Sequence, residues 1–241
     1  MRAMQPVTVL NRVGTGQLML TCEHASCAIP AEYANLGLDR TDIEDHIGWD
    51  IGAGQLTEVL AQRLDAPAVL AGISRLVIDC NRDLADDDLI VSESHGVRVP
   101  GNIPVDRAER ARRVRDFYEP YHAMIDSALA CQPQSFLLSV HSFTPSLNDR
   151  DRRFDVGVLF DTFAGDAQRV GATIADAGLA VRYNEPYSGL DGLIYSARTH
   201  GMQHGLRYLE LEVNNRLLRT SEGVQHVAEA LLRAVSRWGE D

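Results

Sequence analysis

Short apolar runs alternate with amphipathic stretches along the whole chain. Leu18 to Cys22 reads as a strand, as do Ala68 to Ala71, Leu76-Val77-Ile78, Phe136 to Val140, Val156 to Phe160, Leu179 to Tyr183 and Tyr208 to Val213. Between them, Asp45 to Leu64 places Ile47, Ile51, Leu56, Val59, Leu60 and Leu64 near helical spacing, with Pro67 as its stop. Pro104 to Cys131 predicts a long helix, with Pro104 in the first turn and a charged face from Arg107 to Arg115. Ala164 to Ala177 predicts a helix closed by Gly178, and Ser221 is the expected N-cap of a last helix reaching Trp238. Asp83 to Gly101, Thr144 to Arg153 and Asn184 to Thr199 read as loops. Strands that alternate with helices predict an α/β fold: a three-layer α/β/α sandwich around a mostly parallel mixed sheet. No linker interrupts the pattern, so residues 1–241 read as one domain.

Three of the runs end in reactive side chains. Leu18 to Leu20 leads into Cys22-Glu23-His24, Phe136 to Val140 into His141-Ser142, and Tyr208 to Val213, which carries Glu210 and Glu212, into Asn214-Asn215-Arg216. Open α/β sheets bind ligands at the carboxyl ends of their strands, which predicts one shared site. His24 and His141 supply two imidazoles of the kind a catalytic metal takes, and a third ligand is required. Asp50 is the first choice, as a carboxylate expected at a helix start. Glu23 is the second, since residues adjacent on a strand point to opposite faces. Glu212 suits a general base, and Glu210 shares its strand face by period-two spacing. Arg75, Asn81 and Arg82 flank another apolar run and suit a carboxylate, with Arg216 as an addition. Ser142 and Asn214, at the ends of their runs, complete the expected substrate-binding set. The loop from Asn184 to Thr199 is favoured over Asp83 to Gly101 as the wall that closes over the site.

Composition narrows the partners. A formal charge of -11 argues against nucleic acid and anionic membranes, while a local Arg cluster still admits a small acidic substrate. No apolar run approaches the roughly 20 residues of a membrane span. Met1 to Leu20 lacks a basic segment followed by a long apolar one, so no signal peptide is expected. Cys22, Cys27, Cys80 and Cys131 show no CxxC spacing and read as reduced thiols, which suits the cytoplasm. A thiolate site at Cys22 or Cys27 is set aside, because sulfur-rich metal sites tend to be structural. His200 and His204 fall in a Gly-flanked stretch and read as solvated, and His95, His122 and His226 read as surface residues. No oligomeric state is assigned.

These pieces, in their order, resemble the N-formylglutamate amidohydrolase family. The matching segments are Cys22-Glu23-His24-Ala25-Ser26 with Pro30, His46-Ile47-Gly48-Trp49-Asp50, Ser74 to Arg82, Val140-His141-Ser142-Phe143, His200-Gly201, and Leu211 to Leu217. The resemblance implies a phosphorylase/hydrolase-like fold, similar to zinc carboxypeptidases and zinc-dependent cell-wall amidases. It implies one divalent metal, zinc by default, on His24, Asp50 and His141, with Glu212 as catalytic residue. It also implies hydrolysis of N-formyl-L-glutamate to formate and glutamate in histidine degradation. Asn81-Arg82 is similar to the pair that holds a terminal carboxylate in carboxypeptidases. One departure is that Cys27 occupies the place of the carboxypeptidase acid ligand, three residues after His24. The alternatives are a carboxypeptidase-like enzyme or other N-acyl amino acid deacylase on the same site, or a non-catalytic amino-acid-binding protein.

Overall fold

The computed structural model describes residues 5–131, 134–147 and 150–238. Its main sheet has seven strands: β1 Val7–Leu10, β2 Leu18–Cys22, β3 Ala68–Ala71, β4 Phe136–Phe143, β5 Val156–Leu159, β6 Val181–Tyr183 and β7 Arg207–Asn214. Their order across the sheet is β1-β3-β2-β4-β7-β5-β6. The central strands β3, β2, β4 and β7 run parallel. β1 joins one edge antiparallel, and β5 pairs antiparallel with β7. The sheet is therefore mixed and largely parallel, with helices on both faces.

The longer helices are α1 Ala53–Arg63, α2 Arg107–Arg113, α3 Glu119–Cys131, α4 Ala164–Asp176, α5 Tyr195–His204 and α6 Ser221–Ser236. One face of the sheet packs Leu20, Leu138, Val140, Leu209, Leu211 and Val213 against the apolar stripes of α1, α4 and α6. The other packs Met19, Leu137 and Tyr208 against Phe117, Tyr118, Tyr121 and Ile125 of the α2–α3 rod and Ala197 of α5. Among the described residues no helix is long and apolar enough to cross a membrane.

Several elements depart from the sequence expectation. Leu76-Val77-Ile78 is a buried turn and not a strand. Ser74 Oγ accepts from the Leu76 amide at 3.2 Å and donates to the Gly48 carbonyl at 2.7 Å, while the Val77 amide bonds Ser74 O at 3.0 Å. Those bonds curl the backbone while its apolar side chains still fill the core. The helix expected from Asp45 begins only at Ala53, because Gly52 turns the chain at φ 84. A side chain at Gly52 would meet both that left-handed backbone and Leu218 Cβ at 2.4 Å. Pro104 precedes its helix, which Asp106 caps by accepting from the Glu109 amide, and a wide turn at Val114–Tyr118 joins α2 to α3. The loop from Asn184 stops at Ile194, where α5 starts. Thr220, not Ser221, caps α6. The loop from Thr144 carries a small ribbon pairing Ser146–Leu147 with Arg150–Asp151, and residues 148 and 149 lie outside the described residues.

Candidate active site

The carboxyl ends of β2, β4 and β7 open into a cleft of about 320 Å³. Its lining includes His24, Asp50, Arg75, Asn81, Arg82, His141, Ser142, Glu210 and Glu212. His24 lies in the turn just past β2, and His141 lies within β4. Asp50 reaches them from the turn before α1, its amide donating to the His24 carbonyl at 2.9 Å. The Ser142 amide donates to Asp50 Oδ2 at 3.1 Å, and Ser142 Oγ donates to Ile51 O at 3.0 Å. The Asp50 amide thus anchors its backbone at one strand end and the Ser142 amide holds its carboxylate at the other.

Both imidazoles turn Nδ1 toward that carboxylate. His141 Nδ1 stands 2.8 Å from Asp50 Oδ2, and His24 Nδ1 stands 3.5 Å from the same atom. Their outer nitrogens are held by other carboxylates: His24 Nε2 by Asp79 at 2.6 Å, His141 Nε2 by Glu23 at 3.0 Å. Glu23 in turn accepts from Tyr121 Oη at 2.8 Å and Ser139 Oγ at 2.6 Å. A carboxylate behind each imidazole is how metal-binding histidines are oriented. Glu23, the second choice as ligand, therefore stands behind His141. Sequence reasoning missed Asp79 as a partner of His24. Its signal was present in the Ser74-to-Arg82 segment, and Ser139 could have been read from its period-two relation to His141.

A cation fits this donor set. One ligand atom from each of His24, Asp50 and His141 lies within 4.8 Å of the others. His24 Nδ1 is buried and has no hydrogen-bond partner among the described residues. Burial of an unpaired polar atom is costly, and a ligand in this position removes the cost. Burial would lower the proton affinity of His141, yet Glu210, Asp50 and Glu23 around it raise its pKa well above the usual value. Burial disfavours the Asp50 and Asp79 carboxylates as well, but their histidine neighbours, with Arg75 beside Asp79, hold both pKa values low. The surroundings thus favour a positive charge among the carboxylates.

The acids on β7 have the opposite character. Burial pushes Glu210 up to about 7. Burial and the nearby Asp50 charge raise Glu212 well above the ordinary carboxyl range. Glu212 Oε2 is buried without a hydrogen-bond partner, whereas Glu210 accepts from Asn81 Nδ2 at 3.2 Å. Gly157 sits opposite Glu212 across the β5–β7 pair, where any Cβ would come within 2.0 Å of Glu185 O. Its lack of a side chain lets the Glu185 backbone pack against the sheet beside Glu212.

The expected substrate groups separate. Arg75 lines the cleft but is engaged with Asp79 Oδ2 at 2.8 Å and lies 3.7 Å from Asp50 Oδ1. Asn81 Oδ1 accepts from the Ser196 amide at 2.9 Å, so both ends of its amide are engaged within the protein. Arg82 lines the cleft, and its guanidinium makes no hydrogen bond or ion pair with the described residues. Asn214 and Arg216 are not among the lining residues. Asn214 Nδ2 donates to Phe154 O at 3.0 Å and its Oδ1 accepts from the Arg216 amide, while Arg216 pairs with Asp155 at 2.6 Å. Both secure the chain where β7 leaves the sheet. Tyr187, Leu193, His46 and His95 line the cleft as well. Cys22 is buried, and burial raises its thiol pKa, which disfavours a thiolate.

The profile of the family described as N-formylglutamate amidohydrolase matches residues 16–219. A gene product from Agrobacterium tumefaciens is 32% identical, superposes with a TM-score of 0.89, and the match covers 96% of this chain and 95% of that one. An N-formylglutamate amidohydrolase from Ralstonia eutropha is 18% identical with a TM-score of 0.64, over 96% of each chain. A bacteriophage poly-gamma-glutamate hydrolase is 10% identical with a TM-score of 0.51, over 96% of this chain and 88% of that one. The last two likenesses concern the fold alone. Among curated proteins, none matches the chain.

Proposed function

Because the chain belongs to the N-formylglutamate amidohydrolase family, we propose that it hydrolyses the amide bond of a small acidic N-acyl amino acid. N-formyl-L-glutamate is the first choice, giving formate and glutamate. The reading takes residues 1–241 as one cytoplasmic domain, phosphorylase/hydrolase-like in frame, and places the reaction in histidine degradation. The observation that carries it is the buried, unpartnered His24 Nδ1 beside Asp50 and His141, with the unpartnered Glu212 Oε2 in the same cleft.

His24, Asp50 and His141 would hold one divalent metal, zinc by default for such donors. When bound, the cation supplies Lewis acidity, polarising the scissile carbonyl and acidifying water. Glu212 takes a proton from the attacking water and delivers it to the leaving nitrogen as the C–N bond breaks. Its ionised form would be favoured by a cation held beside it, and a raised pKa makes that carboxylate the stronger proton acceptor. Glu210 is engaged with Asn81, which leaves Glu212 as the better-placed base. Arg82 offers its free guanidinium to a substrate carboxylate, with Arg75 beside it already shared with Asp79. Ser142 acts by holding Asp50.

A carboxypeptidase-like substrate ranks second, because Asn81 is already committed to Ser196 and Glu210. Turnover of formyl, acetyl and peptidyl derivatives of glutamate and aspartate tests the choice. Preference for N-formyl-L-glutamate supports the reading, and preference for a peptidyl substrate overturns it. Tight binding of all of them without turnover would identify a binding protein.

A further inference from the structure

A second group of ligand-type side chains lies outside the cleft, between α3 and α5. Asp126 Oδ1 stands 2.9 Å from His200 Nδ1 and 2.9 Å from His204 Nε2. The two histidines are four residues apart on α5 and so share one helix face. His200 is 2% exposed, and its Nε2 lies 2.8 Å from His122 Nδ1, which fixes the ring with Nδ1 toward Asp126. The Asp126 and His204 side chains are 38% and 24% exposed, so the group is anchored inside and open to solvent outside. None of the four residues lines the cleft.

Two imidazoles and a carboxylate are a zinc-type donor set. Ligand atoms around a tetrahedral zinc, with bonds of about 2.0–2.2 Å, stand about 3.4 Å apart. The present atoms all lie within 4.8 Å of one another. The two Asp126 separations of 2.9 Å each widen by about half an ångström to reach that spacing, and the two histidine nitrogens already lie within 4.8 Å of each other.

We propose that Asp126, His200 and His204 form a second divalent-metal site, separate from the cleft, with His122 orienting His200. The ion ties α5 to α3. The start of α5 supplies the Ser196 amide that holds Asn81, and Asn81 holds Glu210, so this tie steadies one wall of the cleft.

The test is metal content after equilibration with zinc and removal of free ion. The wild-type chain is compared with His204→Ala, Asp126→Asn and, as a control, the exposed His226→Ala. His204→Ala and Asp126→Asn each carry one equivalent less than wild type, and the control carries the same. Zinc raises the Tm of the wild type by more than it raises that of His204→Ala. Equal metal content in wild type and both cluster variants overturns the proposal and leaves a His–Asp–His hydrogen-bonded network. The difference does not depend on what the cleft holds, so this proposal stands or falls apart from the hydrolase reading.

Discussion

The two faces of the central sheet are made from the same three strands and diverge in character toward the cleft. On the α1, α4 and α6 side, β2, β4 and β7 present Leu18, Leu20, Cys22, Leu138, Val140, Leu209, Leu211 and Val213, an apolar surface packed on apolar helices. On the other side the alternate residues include Thr21, Ser139, His141, Glu210 and Glu212, all buried. Period-two alternation places a stabilising face and a reactive face back to back on each strand. Both contribute burial free energy, the second through Met19, Leu137 and Tyr208. The second gives some of it up, keeping two carboxyls in an environment that resists their ionisation. Stability and activity should therefore respond separately to substitutions one residue apart.

The sharpest contrast is between Glu212 and its neighbour Leu211. Glu212→Gln is expected to lower kcat by about 10²–10⁴, the usual worth of a general base, while metal content and Tm hold. Retained turnover in that variant would remove Glu212 from the chemistry. Leu211→Ala, at a fully buried position, is expected to cost about 2–5 kcal/mol of stability in denaturant titration. The activity of its folded fraction should be unchanged. A matched loss of kcat would mean that the two faces are coupled.

Glu210 sharpens the comparison through pH. Burial holds its folded pKa at about 7, against about 4.3 for an unfolded chain. A carboxyl raised in this way binds its proton more tightly in the folded state. Its contribution to stability is complete below about pH 4.3 and is lost as pH rises through about 7, a change of order 3 kcal/mol. Denaturant titrations of the metal-free chain should show stability falling across that interval, and Glu210→Gln should reduce the slope. An unchanged slope would assign the pH dependence to other groups.

The smallest expected effect concerns the carboxylate behind His141. Glu23→Gln exchanges one acceptor for a donor among Tyr121, Ser139 and His141. It is expected to weaken metal binding by about 10–100-fold, as read by competition with a chelator. Unchanged affinity would make Glu23 a packing feature only.

Much of this division is written in the sequence, because alternation is a local property. Leu209, Leu211 and Val213 against Glu210 and Glu212 can be read directly, and His24 and His141 follow from apolar runs that end in them, whereas Asp50 is read from its expected place at a helix start. Other features depend on contacts that spacing does not encode. Leu76-Val77-Ile78 is as apolar as a buried strand, and only the Ser74 bonds to Gly48 and Leu76 make it a turn. Tyr195–His204 carries a weak apolar period and follows a Gly- and Pro-containing loop, so its start is concealed, and with it the burial of His200. Asn214 and Arg216 adjoin Glu212 in sequence, yet the chain turns away from the cleft there, and both residues secure that turn.

The central claim is that a cation held at His24, Asp50 and His141 is required for amide hydrolysis at Glu212. Formate release from N-formyl-L-glutamate, measured before chelation, after exhaustive chelation and after zinc is restored, tests it most directly. Loss of release on chelation and its recovery with about one equivalent of zinc at the cleft is the predicted result. Undiminished release from the fully chelated chain would contradict it.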